Sequence, residues 1–150
     1  MSREIKILCV GDVVGTQGCE FLRKTLSDFK RKNNIDVCIV NGENSAVGNG
    51  MLPNSCNHIF TSSADFITGG NHSLKRREIF DYLDNNDNII RPANFGDGVW
   101  GKGWGIIDKG AYKVGVINLL GRVWLEGHLD PFSKADEIIE EIKKETNIIL

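Results

Sequence analysis

The chain has 150 residues, 41% of them hydrophobic, enough for one domain-sized core, and a formal charge of -2. That balance excludes the broad basic field that grips a nucleic-acid backbone, but leaves a small phosphorylated substrate open. The apolar stretch entered after Lys6 already ends at Gly11 and Asp12, too short for a signal or membrane helix, so a cytoplasmic location without membrane contact is expected.

Ile5 to Val10 is a short apolar strand, and Leu22, Leu26 and Phe29 then recur at helical spacing up to Asn33 and Asn34. Val37 to Val40 is a second buried strand. After a polar loop from Asn41 to Gly50, Pro53 opens a helix with Cys56, Ile59 and Phe60 on one face. Phe66 to Thr68 is a third strand, stopped by Gly69 and Gly70 and followed by a helix through Ile79, Tyr82 and Leu83. Strand–helix units in series predict a parallel sheet. Beyond Ile89 and Ile90, Arg91 and Pro92 break the pattern, and Gly96, Gly98, Gly101, Gly103 and Gly105 crowd a segment expected as a mobile loop.

Gly105 to Asp108 and Tyr112 to Asn118 predict an antiparallel hairpin turning at Lys109 and Gly110. Ser133 and Asp136 have the spacing of a capping box before a last helix running to about Glu145. Asn147 to Leu150 begins another apolar strand, read as unfinished, with unpaired backbone and an exposed edge; the expectation is a chain truncated within a strand. Cys9, Cys19, Cys38 and Cys56 form no C-x-x-C pair and read as reduced thiols, with Cys9 and Cys38 expected in the core.

In open α/β sheets ligands gather beyond the carboxyl ends of the strands. The first strand delivers Asp12 there, the second Glu43 and Asn44, and the third Asn71 and His72. Each is an ordinary turn residue by itself; three successive strand ends carrying oxygen or nitrogen donors point to a site. Carboxylate and amide oxygens suit hard or borderline divalent cations, and a two-oxygen carboxylate such as Glu43 can bridge two ions about 3.5 to 4 Å apart.

These residues belong to five ordered motifs: Gly11-Asp12-Val13-Val14-Gly15, Asn41-Gly42-Glu43-Asn44, Gly70-Asn71-His72, Arg91-Pro92-Ala93-Asn94-Phe95 and Asn118-Leu119-Leu120-Gly121-Arg122. Together they resemble the YmdB-like metallophosphoesterases, of the calcineurin-like, 2′,3′-cyclic-nucleotide phosphodiesterase type, across essentially the whole chain. The resemblance implies an α/β fold, a metallo-dependent phosphatase-like β-sandwich flanked by helices, present here as an incomplete first half: the amino-terminal part of a single domain. It implies two divalent metal ions, iron or manganese, with Asp12, Glu43 and Asn44 serving one and Glu43 and Asn71 the other. His72 protonates the leaving oxygen. The family's Gly-x-His-x-His motif and an earlier ligand histidine are absent, so at most one ion is expected in this chain. Its implied partners are a small phosphodiester substrate such as 2′,3′-cyclic AMP and a complementary second half or a homo-oligomer. Leu74 and Lys75 stand where the family usually shows Trp-Asp.

His58 and His128 match no ligand position and read as surface residues, while Arg122, Trp100 and Trp104 carry no assignment. One alternative is a Rossmann-like nucleotide-binding domain, suggested by Gly11, Gly15 and Gly18 between strand and helix. Their spacing is not Gly-x-Gly-x-x-Gly, and Asp12 would set a negative charge beside a pyrophosphate. The other alternative, a truncated or split-gene non-catalytic fragment, shares every residue with the main reading.

Overall fold

Strand β2 (Val37–Asn41) sets the layers. Side chains alternate across a strand, so Cys38 and Val40 enter one core while Val37 and Ile39 enter another. The computed structural model describes residues 4–96, 98–125 and 128–150. Among them, β1 (Ile7–Val10), β2, β3 (Phe66–Thr68) and β4 (Ile89–Ile90) form a parallel sheet in the order β1-β2-β3-β4. This is the sheet that the repeated strand–helix pattern predicts.

One face of the sheet is covered by α1 (Gly15–Asn33), α2 (Pro53–Thr61) and the short α3 (Phe80–Asp84), which a 3₁₀ turn at Arg77–Ile79 precedes. Cys19, Leu22 and Leu26 of α1, Cys56 and Ile59 of α2, and Ile79 and Leu83 meet Cys38, Val40, Ile67 and Ile89 there. Pro53 occupies the first turn of α2, and the Ser55 hydroxyl accepts the Leu52 N–H at 3.1 Å.

On the other face, Val37, Ile39, Phe66 and Ile90 pack against Ile107, Val114 and Val116 of an antiparallel hairpin, β5 (Trp104–Asp108) and β6 (Lys113–Ile117). The hairpin's outer side, with Trp104, Ile106 and Ile117, packs against Ile138 and Ile142 of α4 (Pro131–Ile142). The layers therefore run helices, sheet, sheet, helix: the expected sandwich.

Several expectations need correction. The α4 cap is Asp130, whose carboxylate accepts the Ser133 N–H at 2.8 Å, so Ser133 sits inside the first turn rather than before it. Pro131 follows the cap because its missing N–H costs nothing at the first helical position. The apolar segment at the carboxyl end is paired, not loose: Gly115 N–H donates to Ile148 O (2.8 Å) and Leu150 N–H to Gly115 O (2.9 Å), alongside β6. The glycine-rich segment is tied down by the Arg91 guanidinium, which donates to the carbonyls of Val99 and Trp100, and by Gly101 N–H to Asp84. Asp97 of that segment lies outside the described residues.

Cys9 is exposed, because β1 is the sheet edge and the hairpin does not reach over it. Cys19, Cys38 and Cys56 are buried free thiols; burial pushes Cys38 up to about 11 and Cys56 to about 12, leaving both protonated and inert at neutral pH. No helix among the described residues is long and apolar enough to cross a membrane.

Candidate functional site

The sheet ends its first three strands on one edge, and the loops there are fixed by backbone bonds between neighbouring strand ends. Val13 N–H donates to Asn41 O (3.0 Å), Gly15 N–H to Asn44 O (2.9 Å), Gly42 N–H to Thr68 O (2.9 Å) and Gly69 N–H to Ile90 O (2.7 Å). Asp12, Glu43, Asn44 and His72 are thereby brought into one hydrogen-bonded chain. Asn44 Nδ2 donates to Asp12 Oδ2 at 2.8 Å, Asn44 Oδ1 lies 2.7 Å from His72 Nδ1, and the His72 backbone N–H donates to Glu43 Oε2 at 2.9 Å. The Glu43 carboxylate also lies 3.9 Å from His72 Nδ1.

Since Asn44 Oδ1 can only accept, His72 donates through Nδ1 in this arrangement, and Nε2 is the ring atom left for other work. Asn71 is the exception among the expected residues. Its side chain is exposed, joins no hydrogen bond among the described residues, and lines a neighbouring depression instead.

Residues outside the expected donor set hold this arrangement. Asn41 Oδ1 accepts the Glu43 N–H at 3.1 Å, and its Nδ2 and that of Asn118 both donate to Gly69 O, at 3.3 and 2.8 Å. Ser73, fully buried, accepts Gly70 N–H and donates to Gly70 O. Asn41 and Asn118 stand inside the quoted motifs, so their positions were visible; their targets are backbone atoms that only the fold brings near. Gly70 has a steric role, since a Cβ there would overlap the Glu43 carboxylate.

The clustered donor set of two carboxylates, Asp12 and Glu43, and the Asn44 amide suits one hard or borderline divalent ion. It fits in chemistry but is a partial shell: no group of three or more His, Cys, Asp or Glu side chains that could hold a metal occurs among the described residues. As placed, Asn44 turns its amino group toward Asp12. A cation beside Asp12 calls for a half-turn of that amide, after which its NH₂ faces His72 Nδ1.

The remaining histidines are half-buried rather than free on the surface. His58 sits between α2 and α1 with Nε2 3.5 Å from Glu20, and His128 stacks on Phe95 with ring centroids 5.1 Å apart. Gly127, beside it, lies outside the described residues. Trp104 packs against the α4 core, Trp100 stacks on Phe80 and Arg122 is exposed. The α1 N-terminus is poorly suited to a dinucleotide, because Gly15 N–H is spent on Asn44 O and Asp12 stands before it.

A parallel sheet and a hairpin sheet packed face to face between helices give the chain the fold of a metallophosphoesterase-type phosphatase. The solved structures agree. A phosphatase from Mycoplasma pneumoniae superposes with a TM-score of 0.87 over 99% of this chain and 55% of its own, at 26% identity. A hypothetical protein from Thermus thermophilus gives 0.84 over 90% of this chain and 52% of its own, at 29% identity.

The chain belongs to the YmdB-like protein family, whose pattern it matches over residues 8–150. A Bacillus subtilis (strain 168) relative, a 2′,3′-cyclic-nucleotide 2′-phosphodiesterase, is 41% identical over 145 residues, covering 97% of this chain and 55% of the relative. The chain thus spans about half the length of the relatives it matches.

Proposed function

We propose that this chain supplies the carboxylate, amide and proton-donor side of a metal-dependent phosphodiesterase site that hydrolyses small cyclic nucleotides such as 2′,3′-cyclic AMP. The observation that carries the reading is the hydrogen-bonded chain Asp12–Asn44–His72–Glu43 at the ends of consecutive parallel strands. The activity of the Bacillus subtilis relative supports the choice of substrate.

Asp12, Glu43 and Asn44 would hold one ion, and Glu43 and Asn71 would contribute to a second whose histidine ligands come from a complementary second half or another copy. Iron or manganese matches this oxygen-rich set completed by imidazole. Bound there, such ions polarise the phosphoryl group and activate water. The chain's own residues do the rest. Glu43 sets the charge of the site, held by the His72 and Asn41 contacts. With the Asn44 amide turned so that its NH₂ donates to Nδ1, His72 would carry its proton on Nε2 and could deliver it to the departing oxygen.

The test is made in a chain joined to a family second half. Glu43→Gln should lower metal content and turnover together. His72→Ala should keep the metals and slow cyclic-nucleotide hydrolysis by roughly 10²- to 10⁴-fold, the usual worth of a general acid. A nitrophenyl phosphodiester, whose leaving group needs little protonation, should suffer less. Loss of metal in His72→Ala, or equal damage to both substrates, would overturn the assignment.

A further inference from the structure

Beside the strand-end cluster lies an open depression of about 430 Å³ lined by Asn71, Leu74, Lys75, Phe95, Val99 and His128. It begins at Asn71, the one expected donor that the hydrogen-bonded chain leaves out. Its volume is within the usual range for small-molecule sites, and its walls combine apolar surface with a few polar groups, as such sites do.

The walls come from three separate segments, each fixed by bonds within the fold. The turn after β3 is closed by Ser73 N–H to Gly70 O (3.1 Å) and Lys75 N–H to His72 O (3.1 Å), which sets Leu74 and Lys75 on the rim. Phe95 follows Asn94, a fully buried amide whose Nδ2 donates to the carbonyls of Leu120 and Leu129 and whose Oδ1 accepts the Leu120 N–H. Leu129 N–H donates back to Asn94 O at 2.9 Å, so the residue after His128 is clamped to the residue before Phe95. The two rings consequently stack. Val99 is held through its carbonyl by Arg91.

We infer that this depression is a nucleobase subsite, with a planar heteroaromatic ring lying against Phe95, His128, Val99 and Leu74 while Lys75 marks its polar edge and Asn71 the side that meets the metal site. The inference rests on the phosphodiesterase reading above, which puts the phosphoryl group of the same ligand at Asp12, Glu43 and His72. Stacked aromatic surface suits a base because every base has a π-face, and it gives little discrimination among bases. The cationic Lys75 beside it disfavours a positively charged ligand.

The experiment uses the 150-residue chain, labelled for NMR and titrated separately with adenosine, ribose 5-phosphate, and inorganic phosphate with Mg²⁺. Adenosine alone should shift the Leu74 and Val99 methyls and the His128 ring. His128→Ala, which removes a half-buried ring from a loop, should weaken that binding roughly tenfold or more while the amide spectrum stays folded. Val99→Asp should do likewise, which keeps the test open if one variant misfolds. Phosphate with Mg²⁺ should instead shift the amides around Asp12, Asn44 and His72 in wild type and variants alike. Adenosine shifts located elsewhere, or ribose 5-phosphate shifting the Leu74 and Val99 methyls as strongly as adenosine does, would overturn the subsite. Adenosine binding in the depression with no phosphate response at the strand ends would overturn the claim that base and phosphoryl group of one ligand share this surface, while leaving the phosphodiesterase reading to the chain joined to a second half.

Discussion

Gly70 is the position where a single atom decides the site. A Cβ there would overlap the Glu43 carboxylate, which is flexible and can swing away, so the fold survives but the carboxylate leaves its place. Gly70→Ala should therefore unfold near the wild-type midpoint yet bind Mn²⁺ about tenfold or more weakly, in line with the effect of disturbing groups that orient metal ligands. Electron paramagnetic resonance titration of free Mn²⁺ would show it, and unchanged affinity would mean Glu43 does not contribute to binding. Asp12, Glu43, Asn44 and His72 were legible in the sequence because strand ends in a parallel sheet converge whatever the loop details. Asn41, Ser73 and Asn118 were not, because each acts on the backbone at residue 69, 70 or 43, and a partner of that kind leaves no mark on the sequence. Asn71 differs from these: its type and place fit the motif, and its side chain lines the neighbouring depression, a direction that the sequence does not show.

Asp65, which opens β3, does at the level of elements what those asparagines do within the site. Its carboxylate accepts Lys30 of α1 (2.6 Å), the Cys38 N–H of β2 (2.7 Å) and Lys109 of the β5–β6 turn (2.7 Å), tying a helix, the main sheet and the hairpin together. Burial alone would raise its affinity for a proton, but the bonds from Lys109, Lys30 and Cys38 outweigh this and hold the group below the ordinary aspartate range. A carboxylate lowered on folding stabilises the native state at pH values above its unfolded pKa of about 4, and that contribution is lost as pH falls through the still lower folded value. Asp65→Asn should cost about 2 kcal/mol at pH 7, with the gap to wild type narrowing in urea melts near pH 3; a gap independent of pH would remove the charge from the account. The elements themselves were readable from their periods: short apolar runs gave β1 to β4, and helical spacing gave α1 to α3. The cap of α4 was misplaced by three residues because Ser133 carries the same hydrogen-bonding chemistry as Asp130, and only the accepted Ser133 N–H shows which one stands outside the helix. Cys9 looked like core because an apolar run does not reveal that its strand is an edge.

Across the whole molecule, the sandwich is covered by helices on both outer faces but open along β1. Next to that edge, Leu8 and Val10 line an apolar groove with Phe21, Leu22, Leu26 and Phe29, and Phe21 is 66% exposed. A sheet edge flanked by exposed apolar side chains is a template for another chain. The chain should accordingly self-associate, and Phe21→Lys with Phe29→Lys should reduce that association in light scattering; a cleanly monomeric wild type would show that the groove is tolerated as it stands. The central claim is that the first three strand ends form one side of a metal site, and it is tested most directly by amide line broadening on adding trace Mn²⁺ to the isotope-labelled 150-residue chain. The account predicts selective broadening around Asp12, Glu43, Asn44, Asn71 and His72, abolished by Asp12→Asn combined with Glu43→Gln. Broadening confined to acidic surface such as α4, and unaffected by those substitutions, would contradict it.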